Sequence, residues 1–162
     1  MATIIVEDGS VVAGANSYVS EADLTTYAAD RGITLTAATD VLLIKAMDYI
    51  ESLAFTGTKF SEGQPLQWPR DQVYIDGQHI SRTTLPKELK NGLLAAALAV
   101  DAELDPLRNV ERATKREKVD VIEVEYMDSA ASETIVRTIN AALYKILHTG
   151  AYGSTAFRVV RV

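Results

Sequence analysis

Apolar side chains recur at the spacing of an α-helix in four stretches of the sequence. The first begins after Ser20, whose hydroxyl can cap a helix, and ends at Gly32. The second spans residues 37–54, the third runs from Pro86 to about residue 104, and the fourth spans residues 132–148. The third is apolar on every side in the run LLAAALAV, so we expect it to be buried all round.

Shorter stretches have the alternation typical of β-strands. Asp8 and Gly9 lie between two β-branched runs and predict an N-terminal hairpin. The run VDVIEVEYM predicts a strand near residue 120, with a bulge or bend between Val121 and Ile122. The final run STAFRVVRV predicts a strand at the end of the chain.

Together these patterns predict a mainly α fold, a small bundle of about four helices with accessory β-strands. The strands come from the N-terminus, the segment near residue 120 and the C-terminal tail. We expect a single helical domain over residues 1–153, including the N-terminal hairpin, and a tail over residues 154–162. The connection between the second and third helices should be irregular, with a turn at Asp76–Gly77.

That connection holds the only tryptophan, in the segment LQWPRDQVYIDG. Trp68 has two interpretations. It can cover the end of the bundle, with its indole N–H bonded to a nearby carbonyl. It can also anchor a contact with another subunit together with Arg70, because Trp and Arg are favoured at the centres of interfaces.

Composition restricts the functional classes. The chain has 162 residues, 48% apolar and 23% charged, with a net charge of −6 and no cysteine, so thiol catalysis and thiolate metal sites are excluded. The negative charge argues against unassisted binding to nucleic acid or an anionic membrane. We expect no signal peptide and no membrane-spanning segment. Phosphate-binding and hydrolase motifs are missing, and His79 and His148 lie far apart in the sequence, so we expect no enzyme, cofactor or metal site.

Five basic residues form the best candidate for contact with nucleic acid: Arg108, Arg112, Lys115, Arg116 and Lys118. They could touch phosphates, although two glutamates interrupt them and no aromatic side chain is interleaved for base stacking. They could also form a solvated charged loop or meet an acidic patch on a partner.

The end of the chain is the second candidate contact, formed by Phe157, Arg158, Val159, Val160, Arg161 and Val162. This β-prone segment can pair with a sheet of its own chain. Alternatively, it can add a strand to a partner, in which case backbone hydrogen bonds would give affinity.

Several segments together resemble a family of phage proteins, namely VEDGSVVAGANSYVSEADLTTYAADRG, LLIKAMDYIE, LQWPRDQVYIDG and LPKELKNGLLAAALA. The resemblance covers essentially the whole chain and is most specific at Asn16–Tyr18 and Trp68–Arg70. It is to head–tail connector (adaptor) proteins of tailed phages, whose members often carry the label DnaT-like single-stranded DNA-binding protein.

The resemblance implies a structural virion protein, made in the host cytoplasm and located in the neck between capsid and tail. It would form a ring, commonly of twelve copies, that docks on the portal protein and meets a tail-side connector or terminator. DNA would pass through its channel without sequence-specific binding. The label carried by the same family implies the alternative, a single-stranded DNA-binding accessory protein of replication.

Overall fold

The computed structural model describes residues 2–104, 117–119, 122–124 and 130–148. Four helices lie in these residues: α1 (Glu21–Ala29), α2 (Thr39–Glu51), α3 (Lys87–Asp101) and α4 (Ala130–Leu143). Three antiparallel pairs of short strands accompany them: β1 (Thr58–Lys59) with β2 (Arg70–Asp71), β3 (Val73–Ile75) with β4 (Gln78–Ile80), and β5 (Glu117–Val119) with β6 (Ile122–Val124). A mainly helical small domain with accessory strands is therefore confirmed.

Helix α3 is the central helix and packs against α1, α2 and α4. Its apolar run LLAAALAV is buried at Leu93, Leu94, Ala96, Ala97 and Ala99, as expected of a core helix. Ala95, Leu98 and Val100 are only half-buried, so the run is not buried all round as predicted. The absence of a side chain at Gly92 lets α4 approach closely, because a Cβ there would lie 2.3 Å from Leu143 Cδ2.

Helix α4 ends at Leu143, five residues earlier than predicted. The chain then turns and pairs with a segment between α2 and β1. The backbone N–H of Thr56 donates to the carbonyl of Ile146 at 2.9 Å, and the N–H of His148 donates to the carbonyl of Ala54 at 2.9 Å. These bonds replace a further turn of helix and fix the end of α4 to the body of the domain.

The N-terminal hairpin predicted at Asp8–Gly9 is wrong. The segment instead wraps around the buried carboxylate of Glu7, which accepts the backbone N–H groups of Gly9, Val11 and Val12 at 2.8–3.0 Å. The amides that a hairpin ladder needs are thus used by one side chain. Among residues 2–20, β-type pairing is restricted to an isolated parallel bridge between Val6 and Ser17.

A hairpin forms instead in the connection that was predicted to be irregular. Strands β3 and β4 pair with the register Tyr74↔His79, and Asp76 and Gly77 make the turn between them with positive φ angles of 52° and 80°. Strand structure near residue 120 is present as predicted, but as the antiparallel pair β5–β6 rather than as one bent strand over VDVIEVEYM. The tail at 154–162 lies outside the described residues. Within the described part of the chain, no helix is long and apolar enough to cross a bilayer.

Candidate nucleic-acid interface

Trp68 lies in the core of the domain, with 0% of its surface exposed. Its ring meets Phe55 edge to face with centroids 5.9 Å apart, and its backbone N–H donates to the Tyr18 hydroxyl at 3.1 Å. The interpretation of Trp68 as a core residue is confirmed. Its predicted carbonyl partner is not found, since no acceptor among the described residues bonds to its indole N–H.

Arg70 is 9% exposed, and its hydrogen bonds connect several segments of the same region. Its guanidinium donates to the carbonyls of Thr56 (2.7 Å), Gly57 (2.8 Å) and Phe55 (3.3 Å), and to the carbonyl and side chain of Gln67. Burial lowers the pKa of Arg70, but the guanidinium remains a full donor. A contact of Trp68 and Arg70 with another subunit stays a prediction.

The other predicted site residues fall almost entirely outside the described part of the chain. Lys118 lies in β5, where its Cα partner in β6 is Glu123. The structure does not describe the remaining basic residues or the tail: Arg108, Arg112, Lys115, Arg116, Phe157, Arg158, Val159, Val160, Arg161 and Val162.

The hairpin β3–β4 presents two aromatic side chains, Tyr74 and His79, that were not predicted as a site. Val73 is buried, and Ile75 and Ile80 are half-buried against the core, so the alternate positions face outward. Tyr74 is therefore 60% exposed, and the ring of its cross-strand neighbour His79 lies 5.3 Å away, centroid to centroid. The signal was available in the sequence, because Asp-Gly between VYI and QHI is a strong hairpin pattern.

The end of α4 adds a second exposed tyrosine beside a cation. Leu143 and Ile146 are fully buried, so the residues between them project outward, and Tyr144 is 62% exposed. The ammonium of Lys145 lies 5.9 Å from the centre of the Tyr144 ring.

An ion pair joins these two elements. Lys145 Nζ lies 2.6 Å from Asp76 Oδ2 in the hairpin turn, although 69 positions separate the two residues. The hydrogen bond to Asp76 raises the pKa of Lys145, and the charge of Glu88 acts in the same direction. We call Tyr74, His79, Tyr144 and Lys145 the hairpin–α4 surface.

A second aromatic–cation pair lies near this surface. The guanidinium of Arg82, just beyond β4, lies 4.8 Å from the centre of the exposed Phe60 ring, just beyond β1. His79 links the two regions, since its Nε2 lies 3.7 Å from Asp71 Oδ1 in β2. Exposed rings with neighbouring cations can stack on planar groups and attract anions. Across the described residues, no group of three or more His, Asp or Glu could hold a metal ion.

The architecture thus defines a small, mainly α-helical domain that exposes aromatic side chains on its accessory hairpin and directly after its last helix. The chain belongs to the family described as "Putative DnaT-like ssDNA binding protein", whose model matches residues 2–162. Comparisons with curated proteins and with solved structures gave no match.

The expectation of a phage head–tail connector is wrong. The family that covers nearly the whole chain is described by single-stranded DNA binding, and no comparison points to a connector. The virion, portal and packaging roles implied by that resemblance are therefore wrong as well. The family description agrees instead with the alternative, a single-stranded DNA-binding protein. Homo-oligomer formation stays a prediction.

Proposed function

We propose that this protein binds single-stranded DNA and that the hairpin–α4 surface is where bases stack. The observation that carries the proposal is the pair of tyrosines, Tyr74 and Tyr144, that are more than half exposed on two elements joined by the Lys145–Asp76 contact. Membership of the DnaT-like family supports it independently.

Stacking suits a ligand whose bases are unpaired. Every base has a π-face, and stacking on an aromatic side chain contributes about 1–3 kcal/mol per base without strong sequence preference. In a duplex the bases are already stacked on one another, so stacking on Tyr74 and Tyr144 would contribute little to duplex binding. The surface therefore favours single strands.

Phosphate attraction plays the smaller part at this surface. Residues 1–104 contain seven basic and fourteen acidic residues, and residues 105–162 contain nine basic and eight acidic ones. The described body of the domain is thus acidic on balance, and its cations act locally, beside the rings. Binding by a protein of net charge −6 then depends on stacking more than on long-range attraction.

The test is fluorescence anisotropy with a labelled oligo(dT) of about 30 nucleotides. Tyr74→Leu and Tyr144→Leu keep an apolar side chain but remove the π-face, and each should weaken binding about fivefold or more. Tyr74→Phe and Tyr144→Phe keep the π-face and should restore most of the affinity.

The matched control is Tyr27→Leu. Tyr27 is a half-buried tyrosine with the Arg31 guanidinium 3.3 Å from its ring centre, but it lines a separate groove between α1, α3 and α4. Its replacement should leave the affinity within about twofold, as expected for a residue away from the site. Equal binding by wild type and both hairpin–α4 leucine variants would refute the proposed site.

A further inference from the structure

In the free protein the charge of Lys145 is already balanced by the Asp76 carboxylate, and this affects which nucleic acids can bind beside it. Its ammonium lies 2.6 Å from the Asp76 carboxylate, and the two side chains are 29% and 70% exposed. A phosphate that binds Lys145 must therefore compete with a carboxylate that the chain itself supplies.

This competition does not affect all nucleic acids equally. Duplex DNA offers a dense row of phosphates but no free base faces, so its non-specific binding depends almost entirely on cations. A single strand also offers bases that can stack on Tyr74 and Tyr144. A carboxylate beside Lys145 thus removes much of the binding free energy available to a duplex at this surface. For a single strand it removes only part, because stacking on the tyrosines remains.

We propose that Asp76 is a specificity-determining residue of the hairpin–α4 surface. Its carboxylate disfavours ligands that offer phosphates alone, so the surface binds single strands in preference to duplexes. This inference rests on the proposed single-stranded DNA binding. It assigns Asp76 a role in discrimination rather than in affinity for the favoured ligand.

The turn geometry makes a clean test available. Asp76 has a φ of 52° and precedes Gly77 with a φ of 80°, a turn in which Asn is accommodated as well as Asp. Asp76→Asn should therefore keep the hairpin while removing the charge. If the Asp76 carboxylate also stabilises the turn, Asp76→Asn will change the thermal stability of the protein, which is measured in parallel.

The experiment compares a labelled 30-nucleotide oligo(dT) with a labelled 30-base-pair duplex at about 50 mM salt. Asp76→Asn should strengthen duplex binding roughly two- to fivefold, the range for releasing an exposed ion pair, and should strengthen oligo(dT) binding by less. The ratio of the two affinities should fall accordingly.

Two controls separate the ion pair from general charge. Asp48→Asn removes the same charge from an exposed position of α2 and should leave the affinity ratio unchanged. Lys145→Gln in the Asp76→Asn background should abolish the gain in duplex binding. An affinity ratio that Asp76→Asn leaves unchanged, or changes no more than Asp48→Asn does, would overturn the inference, as would a gain that persists without Lys145.

The outcome for the wild-type protein separates this inference from the proposed function. Failure of wild-type protein to bind oligo(dT) would overturn the proposed function itself, and the inference with it. Oligo(dT) binding that depends on Tyr74 and Tyr144, combined with an unchanged ratio in Asp76→Asn, would overturn the role of Asp76 alone.

Discussion

At the scale of single residues, one carboxylate holds the loop that carries the tryptophan. Glu51 in α2 accepts the Tyr18 hydroxyl and the backbone N–H of Gln67, the latter at 2.8 Å. Burial and the charge of Glu51 raise the pKa of Tyr18, so its hydroxyl stays a donor to Glu51 while its oxygen accepts the N–H of Trp68. The loop is thereby fixed at consecutive amides, which allows Trp68 to fill the core.

The titration of Glu51 should be visible in stability. Burial raises the pKa of Glu51, although the bonds from Tyr18 and Gln67 favour the charged form. A carboxyl with a raised folded-state pKa contributes stability below its unfolded pKa of about 4.3, and this contribution is lost as the pH rises through the folded pKa. Glu51→Gln removes the titration, so wild type should lose stability relative to the variant as the pH rises through that window.

Urea-unfolding midpoints measured from about pH 3.5 to pH 7 would show this trend, because that range spans the ordinary carboxyl titration. Glu62→Gln, at an exposed position after β1, serves as the control and should run parallel to wild type. A difference between wild type and Glu51→Gln that does not vary with pH would contradict the assignment.

At the scale of elements, the approach of α4 to α3 decides where Tyr144 and Lys145 emerge. Gly92 lies in the middle of α3, facing the fully buried Leu143 at the end of α4. Contact between backbone and side chain at this point sets the spacing of the two helices. The residues directly after Leu143 belong to the hairpin–α4 surface, so this spacing also positions the surface.

Gly92→Ala tests this packing. Alanine in a helix is ordinarily more stable than glycine by about 0.5–1 kcal/mol. Here its Cβ would lie 2.3 Å from Leu143 Cδ2 and 2.5 Å from Leu143 Cγ, so we expect a net loss of about 1–3 kcal/mol in the free energy of unfolding.

Asn91→Ala, at the exposed neighbouring position of α3, supplies the comparison and should be neutral or slightly stabilising. Chemical denaturation of the two variants measures both effects. A Gly92→Ala protein as stable as Asn91→Ala would mean that α4 lies farther from α3 than the structure shows.

Elements with strong local signals were predictable from the sequence. Ser20 caps α1 as expected, with its hydroxyl accepting the N–H of Asp23 at 3.1 Å while the Asp23 carboxylate accepts the N–H of Ser20 at 2.8 Å. The prediction of an N-terminal hairpin failed because its Asp-Gly pattern was overridden by the burial of Glu7 beside it, which only the tertiary structure shows. The β3–β4 hairpin had an equally strong Asp-Gly signal, but only its turn was predicted, because its strands are short and lie in a connection rich in turn residues.

At the scale of the whole molecule, charge is distributed unevenly. The body that holds the hairpin–α4 surface is acidic on balance, and the densest basic segment follows it at residues 108–118. The net charge argued against nucleic-acid binding, but a total of −6 is an average over the whole chain and does not describe any one surface. Local rings and cations decide contact, whereas the total charge mainly affects long-range attraction and its dependence on salt.

Salt dependence tests whether the basic segment takes part. Each phosphate contact with a single strand contributes about −0.7 to the slope of log affinity against log salt. Replacing Arg112, Lys115 and Arg116 by glutamine should reduce that slope by about 2 if all three contact phosphates. Anisotropy titrations over a series of salt concentrations give the slope.

The charge-matched control replaces Arg31, Lys45 and Lys90, which are exposed on or beside α1, α2 and α3. It removes the same three charges away from the segment and should leave the slope nearly unchanged. Equal slopes for the two triple variants would show that the segment makes no phosphate contacts.

The sequence by itself determined the four helices, their order and the central position of α3, because periodic apolar residues and capping signals act over a few positions. It also placed the turn at Asp76–Gly77. Only the tertiary structure decided that Trp68 and Arg70 are buried. It also decided that Lys145, next to Tyr144, meets Asp76 in the turn of the hairpin that carries Tyr74 and His79. The reason is physical: Asp76 and Lys145 are 69 positions apart, and only the packing of α3 against α4 and the pairing of residues 146–148 with residues 54–56 bring them together.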